Sequence, residues 1–255
     1  MAKMQPRADI ENLPDRLGKA VRHFWRTRSR QEASQGGLSG RRDYGNRTAA
    51  TGGKQLDGFN ALLAELLVET GLPRDSIHLI GRENMTLPGY FRPTKIWDLV
   101  VVASGNLLAA IETKSLCGPS FGNNYNNRVE EAVGSSTDVW TAYREGAFRE
   151  SPEPFVGYFL LLEEHPKSVR AVSVQEKHFP AFAEFRDASY VGRCEQTIRR
   201  LVRERCYNAG CFLVADKTHG KKGRYDEPAS DLTFERFATI MCGHVKAAYD
   251  AVRDK

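Results

Sequence analysis

The sequence predicts an α/β fold, a single domain in which a central mixed β-sheet is flanked by helices. Amphipathic helical segments alternate with short apolar runs, which is typical of a sheet covered by helices. Two of these runs are joined by a short turn, as in an antiparallel hairpin, whereas others are separated by a helix, as in parallel pairs. The chain has 255 residues, 41% of them hydrophobic, and is therefore long enough for one compact core.

Two helices are predicted in the first 70 residues. Residues 10–30 carry apolar side chains at helical spacing, and residues 57–70 form a second apolar stripe that Asp57 can cap and Gly71 can end. Residues 34–53 between them contain six glycines and almost no large apolar side chain. We therefore expect a loop there.

The strands are predicted from apolar runs bounded by turn residues. A short strand is expected at residues 76–80 and a structured loop, with two prolines, at 86–95. Ser104-Gly105-Asn106 is typical of a hairpin turn and joins strands at 96–103 and 107–114. The rest of the chain predicts a polar loop at 118–127, helices at 128–148, 193–207 and 231–252, and strands at 155–162 and 211–215.

Charge and composition limit the functional class. The net charge of +5 is uneven, because residues 1–60 and 190–224 each carry +6 and the remainder carries −7. Such a chain could bind a polyanion through its basic segments, although solvated helix faces would give the same numbers. The apolar runs are too short to span a membrane, no secretory signal is expected at the N-terminus, and five irregularly spaced cysteines indicate reduced thiols. A cytoplasmic location follows as an expectation.

The most informative residues are Asp98, Glu112 and Lys114. A three-residue turn at 104–106 would place Asp98 directly opposite Glu112, with Lys114 on the same strand face. Two carboxylates about 5 Å apart repel each other unless a cation lies between them. Lys114 is one such cation, and Mg²⁺ is a better one because it prefers oxygen ligands. The alternative is a half-exposed hairpin with an ordinary Glu–Lys pair.

A site of this kind suits phosphodiester hydrolysis. Asp98, Glu112 and the carbonyl of Thr113 could hold Mg²⁺, while Lys114 could position or deprotonate the attacking water. Glu65 on the second helix is a candidate outer ligand or second-metal ligand, with Glu69 as its competitor. A plain solvated helix residue is the alternative for Glu65.

At these residues the chain resembles the PD-(D/E)XK nuclease superfamily, with Trp97-Asp98 in place of Pro-Asp. More specifically, it is similar to type II restriction endonucleases of the XhoI kind. The segments that carry this resemblance are GGKQLDGF (52–59), TLPGYFRPTKIWD (86–98), IETKS (111–115), GPSFGNNYNNRVEEAVG (118–134), TAYREGAF (141–148) and HFPAFAEFRDASYV (178–191).

The resemblance implies a restriction-endonuclease-like core with Asp98, Glu112 and Lys114 at the catalytic positions. It also implies a homodimer that cleaves double-stranded DNA with Mg²⁺ at the palindrome CTCGAG, leaving 5′ overhangs and 5′ phosphates. A companion DNA methyltransferase would protect the host genome. Within the single domain, residues 1–56 would form a basic helix and glycine-rich arm, 57–164 the catalytic core, and 165–255 a C-terminal helical and strand part.

Several residues are candidates for DNA contacts. Asn can pair with adenine and Arg with guanine in the major groove, and Glu130 could accept from cytosine or support Arg128. The alternative for the asparagine-rich block is a turn-rich loop, because Asn tolerates left-handed backbone conformations. The candidates are Asn123, Asn124, Asn126, Asn127, Arg128 and Glu130 in that block, Tyr90, Arg92 and Lys95 before the hairpin, and Arg41, Arg42 and Arg47 in the glycine-rich arm.

Two alternative functions use the same residues. The first is a structure-specific repair or recombination nuclease on the same core, which would cut branched DNA. The second is a DNA-binding protein without activity, which the presence of Asp98, Glu112 and Lys114 disfavours.

Overall fold

The structure is a computed structural model that describes residues 12–36 and 54–253. Its helices are α1 Leu13–Gly36, α2 Asp57–Glu69, α3 Phe121–Arg144, α4 Pro166–Val169, α5 Tyr190–Arg203, α6 Lys217–Gly220 and α7 Phe234–Arg253. Its strands are β1 Ile77–His78, β2 Thr86–Pro88, β3 Thr94–Ile96, β4 Leu99–Ala103, β5 Asn106–Leu116, β6 Phe155–Glu163 and β7 Ala209–Ala215.

Five strands form one sheet in the order β1-β4-β5-β6-β7. The pairs β1–β4 and β4–β5 are antiparallel, whereas β5–β6 and β6–β7 are parallel. Helix α3 connects the first parallel pair and α5 lies in the connection of the second, as parallel pairing requires. The predicted α/β class with a central mixed sheet is confirmed.

Both faces of the sheet are covered by helices. Along β6, Phe159 and Leu161 pack into the core beneath α1, α2 and α7, while Leu160 and Leu162 pack into the core beneath α3 and α5. This alternation follows from the period of two along a strand. Because both faces are buried, β6 and β7 are almost entirely apolar in sequence.

The hairpin between β4 and β5 differs from the prediction at its turn and agrees with it at the far end. The turn has two residues, Ser104 and Gly105, both with positive φ (50° and 75°), so Ala103 pairs with Asn106. The expected three-residue turn is therefore wrong. A bulge beyond Val101 then restores the predicted register, so that Leu99 pairs with Ile111.

Three other local predictions are wrong. Residues 86–95 form most of a small hairpin, β2 paired with β3, and not a loop, while the predicted strand 96–103 is interrupted at Trp97-Asp98. The predicted polar loop at 118–127 is largely helical, since α3 begins at Phe121 after a cis Gly118–Pro119 bond and ends at Arg144. Phe121 is buried in the core, and this packing outweighs the weak helix propensity of the asparagines.

The ends of the N-terminal helices also differ from expectation. The residue before α2 is Leu56, and Asp57 is the first helical residue and does not cap it with its side chain. Helix α1 runs to Gly36, beyond the predicted end at residue 30. The predicted arm at 34–53, with Arg41, Arg42 and Arg47, otherwise lies outside the described residues. Among the described helices, none is long and apolar enough to cross a membrane.

Candidate active site

Asp98 lies where the small and the large sheet separate. The amide of Trp97 donates to the carbonyl of Met85, just before β2, and the amide of Asp98 donates to the Ile111 carbonyl on β5. The chain therefore leaves one sheet and joins the other within two residues. The side chain of Asp98 is held by the Thr113 amide, which donates to Oδ2 at 2.9 Å.

Glu112 and Lys114 lie on the same face of β5, beside Asp98. Glu112 is buried, with 4% of its surface exposed. Thr113 between them faces the other way, and its hydroxyl donates to Oδ1 of Asn60 on α2 at 3.0 Å. Strand β5 thus presents a charged pair to one side and is fixed to α2 on the other, as its period of two dictates.

Two lysines neutralise these carboxylates. Nζ of Lys114 lies 3.3 Å from Asp98 Oδ2 and also pairs with Oε1 of Glu112. Nζ of Lys95 lies 2.8 Å from the other Glu112 oxygen and 4.7 Å from the centre of the Trp97 ring. Lys95 was predicted as a DNA contact. The structure makes it a buried partner of Glu112, with its side chain 12% exposed.

The charges shift one another's pKa values in opposite directions. Burial, and then repulsion by Glu112, raises the pKa of Asp98. Burial alone would raise the pKa of Glu112, but attraction to Lys114 and Lys95 outweighs it and the pKa is lowered. Burial would lower the pKa of Lys114, yet Glu112 and Asp98 raise it. Glu112 is therefore a carboxylate and Lys114 an ammonium at neutral pH.

This donor set fits a hard divalent cation. Carboxylate oxygens are the ligands that such an ion prefers, and two of them converge here with a buried lysine as the stand-in cation. Within residues 12–36 and 54–253, no group of three or more His, Cys, Asp or Glu side chains is placed to hold a metal. An ion held by Asp98 and Glu112 would take its remaining ligands from backbone carbonyls or water.

Asp98, Glu112 and Lys114 line a cleft with a volume of about 1090 Å³. Its walls come from the end of α1, the loop before α2, the β2–β3 hairpin and the first half of α3. Of the predicted site residues, the cleft brings together Asp98, Glu112, Thr113, Lys114, Arg92, Lys95, Asn124, Arg128 and Glu130.

Glu65 and Glu69 are not part of this cleft. Both pair with Arg16 of α1, at 3.2 and 2.7 Å, and they line a separate groove. The residue of α2 that hydrogen-bonds to β5 is Asn60, five residues before Glu65. The structure therefore does not bring the predicted outer ligands to the carboxylates.

The asparagine-rich block forms the first turns of α3, so only one side of it faces the cleft. Asn124 and Arg128 line the cleft at a spacing of four, whereas Asn123, Asn126 and Asn127 are exposed and do not line it. The side-chain Nδ2 of Asn124 donates to the Cys117 carbonyl at 3.1 Å. The turn-rich loop that was weighed as an alternative is not what these residues form.

Arg128 reaches into the cleft from α3. One of its terminal nitrogens pairs with Glu131 at 2.8 Å. Its Nε atom is buried and has no hydrogen-bond partner among the described residues. The positive charge of Arg128 repels that of Lys114 and acts to lower the pKa of Lys114, so the two cations are close enough to interact.

Asp138 is a buried residue of the site region that sequence reasoning missed. Its Oδ1 accepts from the amides of Tyr90 and Phe91, both at 2.8 Å, and its Oδ2 accepts from Nε of Arg92 at 2.7 Å. A Cβ on Gly89 would lie 2.5 Å from Oδ2, so only glycine allows this approach. Asp138 thus fixes the tip of the small hairpin, and with it Arg92, to α3.

Two further cleft residues were also missed. Arg28 of α1 donates to the Gly118 carbonyl at 3.4 Å, and Gln55 donates to Ser115 Oγ at 3.1 Å. Their partners are 90 and 60 residues away in sequence, so no local pattern indicated them. Gln55 does fall inside the segment 52–59 that carried the resemblance.

Comparison with known proteins points to one family. A family model described as restriction endonuclease XhoI matches residues 35–227. The chain is 49% identical over 209 residues to the type II restriction enzyme BstVI of Geobacillus stearothermophilus, covering 80% of this chain and 92% of that protein. It is 44% identical over 194 residues to the type II restriction enzyme XhoI of Xanthomonas vasicola, covering 74% and 75% of the two chains. It is 48% identical over 173 residues to AbrI of Azospirillum brasilense, covering 67% and 76%. No solved structure matches the chain.

Proposed function

The chain belongs to the XhoI restriction endonuclease family and is a type II site-specific deoxyribonuclease, and we propose that Asp98, Glu112 and Lys114 carry its cleavage of DNA with Mg²⁺. The observation that carries this proposal is the convergence of two carboxylates on one lysine in a cleft. Taking charges out of water is costly even when they are paired, so a fold does not gather such residues for stability alone.

Asp98, Glu112 and the Thr113 carbonyl would hold the divalent ion. When bound, Mg²⁺ supplies Lewis-acid stabilisation of the charge that develops on the scissile phosphate. The Thr113 amide orients Asp98 through its 2.9 Å hydrogen bond, and Lys95 orients Glu112 through its 2.8 Å contact. These two contacts hold the ligand oxygens in place before the ion arrives.

Lys114 acts as a fixed positive charge and hydrogen-bond donor. Its pKa is raised by Glu112 and Asp98, which favours the ammonium form. Positioning the attacking water and helping to deprotonate it both stay open as roles, because Mg²⁺ bound to the same two carboxylates would offset their effect on the lysine. The ammonium also stabilises the negative charge that builds up on the phosphate in the transition state.

The DNA site proposed is the palindrome CTCGAG, cut on both strands to leave 5′ overhangs and 5′ phosphates. Its support is the family membership together with the cleft wall formed by Asn124 and Arg128, whose side chains suit adenine and guanine edges. Glu130, on the same wall, could accept from a cytosine amino group. Arg92, fixed by Asp138, is proposed as a phosphate contact.

A palindromic site is matched by a two-fold dimer, so we also propose a homodimer in which each subunit cuts one strand. A restriction enzyme of this specificity requires a cognate DNA methyltransferase in the same cell. Because its substrate is intracellular DNA, a cytoplasmic location is proposed. The repair nuclease and the inactive DNA-binding protein, weighed from sequence alone, gain no support from the relatives, which are named as restriction enzymes.

The test is cleavage of two plasmids that differ only in one CTCGAG site. With Mg²⁺ the purified protein should linearise the plasmid that has the site and leave the other intact, and EDTA should abolish the cut. End sequencing should give 5′ overhangs that carry 5′ phosphates. Discrete cleavage at another sequence would remove CTCGAG and keep the restriction activity. A cut that persists in EDTA would overturn the role of the metal.

A further inference from the structure

Two basic segments that are far apart in sequence pack against each other outside the cleft. They are the middle of α1, residues 22–30, and residues 217–224 after β7. A Cβ at Gly223 would lie 2.6 Å from the Gly18 carbonyl oxygen, and a Cβ at Gly220 would lie 2.1 Å from the Trp25 ring. The guanidinium of Arg22 donates to the Lys222 carbonyl at 3.2 Å. Glycines at both close approaches let the segments form one continuous surface.

This surface, here called the outer basic surface, consists of Arg22, Arg26 and Arg30 of α1 together with Lys221, Lys222 and Arg224. The three arginines follow at a spacing of four and so lie on one side of the helix. Arg26, Arg30, Lys222 and Arg224 are exposed, and the other two are partly exposed. Among the described residues, no ion pair involves any of the six.

The acidic residues beside this surface are fewer than its cations. Glu32 lies between Arg28, at 3.3 Å, and Lys217, with which it also pairs. Asp216 accepts from His219 at 2.7 Å and from the first amides of α6, while Glu164 and Asp226 line a groove together with Arg224. The six cations of the outer basic surface outnumber these four carboxylates, so the surface keeps a net positive charge that attracts anions.

The second basic segment meets the cleft at its first residue. Lys217 pairs with Glu32 of α1, and Glu32 lines the cleft that holds Lys114. From Arg22 to Arg30 the helix rises about 12 Å, and duplex DNA presents about seven phosphate charges over that length. A duplex held in the cleft thus has a cationic surface beside it that is long enough to contact several phosphates.

We propose that the outer basic surface binds the phosphates of duplex DNA outside the recognition sequence. This inference rests on the proposed function in one respect, since it takes the cleft as the place where the duplex is held and cut. Binding of this kind is electrostatic and carries no base specificity, so it raises affinity for long DNA and its share of the affinity falls with salt. The outer basic surface thus binds DNA beside the recognition sequence, while the cleft contacts the recognition sequence itself.

The test compares the double variant Lys222→Ala/Arg224→Ala with a matched control, Arg144→Ala/Arg149→Ala. The control removes two exposed arginines, one at the C-terminal end of α3 and one in the turn that follows it, neither of which lines the cleft or belongs to the outer basic surface. Binding is measured without a catalytic metal, over a range of salt concentrations, on three duplexes. One has 12 base pairs and one has 30 base pairs around CTCGAG, and the third has 30 base pairs without the site.

We expect the outer variant to bind both 30-base-pair duplexes about tenfold more weakly, with a salt slope lower by about 2, since each phosphate contact contributes about 0.9. Its affinity for the 12-base-pair duplex should match wild type, and the control should match wild type throughout. An unchanged salt slope on the long duplexes, or an equal loss in the control, would overturn the proposal. The duplex without the site separates this proposal from the proposed function. If wild type does not prefer the CTCGAG duplex, only the proposed function is contradicted.

Discussion

The cations inside the cleft and the cations of the outer basic surface are held in opposite ways. Lys114 and Lys95 share Glu112, Arg92 pairs with Asp138 and Arg128 pairs with Glu131, and two of these three carboxylates, Glu112 and Asp138, are buried. The six cations of the outer basic surface have no such partner within the described part of the chain. We infer that the two groups of cations have different roles. The paired cations fix the positions of side chains in the cleft, and the cations of the outer basic surface provide affinity for phosphate.

Among the cations, the largest effect is expected when Lys114, the central paired cation of the cleft, is removed. Lys114→Met keeps the length of the side chain and removes its charge, leaving Asp98 and Glu112 without their shared ammonium. Single-turnover cleavage should fall by about 10²–10³, as for loss of one transition-state donor. The affinity for the CTCGAG duplex should be kept, because loss of the lysine charge also removes its repulsion of the bound metal. A variant that cuts at the wild-type rate would mean that Lys114 only balances charge.

Arg128 tests whether a paired cleft cation can also read a base. Its buried Nε lacks a partner among the described residues, so it has donor capacity beyond its pair with Glu131. Arg128→Ala should weaken binding to the CTCGAG duplex by about 1–3 kcal/mol and leave binding to unrelated duplex little changed. Arg144→Ala, on an exposed position of the same helix, is the control. An equal loss on both duplexes would make Arg128 a phosphate contact.

Asp138 tests whether paired charges set geometry. Asp138→Ala leaves two amides and a guanidinium at the hairpin tip without their acceptor, which should cost about 2 kcal/mol of unfolding free energy. Asp138→Asn keeps an acceptor for the two amides and should lose less. Thermal unfolding measures the stability, and KM for plasmid measures whether Arg92 is still positioned. If both variants match wild type in KM, the hairpin tip does not contact DNA.

The smallest effect is expected at Glu65. Because it pairs with Arg16 at a separate groove, Glu65→Gln should leave the cleavage rate within about twofold of wild type. The matched change at the catalytic face is Glu112→Gln. A large loss at Glu65 would mean that the helix moves toward the carboxylates when DNA or metal binds.

Much of this site could be predicted because its parts are close in sequence. Asp98 and Glu112 are joined by one hairpin, so their opposition depends only on strand period and register. The turn was predicted one residue too long, yet the register beside Glu112 is the predicted one, since the bulge beyond Val101 adds the missing residue. No sequence signal located that bulge.

What could not be predicted depends on contacts between distant segments. Asp138 looks like any polar residue of an amphipathic helix, and its role appears only when residues 89–92, more than 45 positions earlier, fold against it. Glu65 and Asn60 lie five residues apart on α2 and so on different faces, and only the packing of that helix decides which one faces β5. Residues 118–127 look like a loop in sequence, and burial of Phe121 in the core explains why most of them are helical.

The catalytic assignment is tested most directly by adding Mg²⁺ to preformed complexes of wild type and Glu112→Gln with a CTCGAG duplex. Both proteins are first shown to bind the duplex, and the single-turnover rate of strand cleavage is then followed over a range of Mg²⁺ concentrations. If Glu112 is a metal ligand, the variant should bind the duplex as wild type does and cut it about 10³ times more slowly at saturating Mg²⁺. Cleavage by Glu112→Gln at the wild-type rate, with the same dependence on Mg²⁺, would contradict the assignment of the active site to Asp98, Glu112 and Lys114.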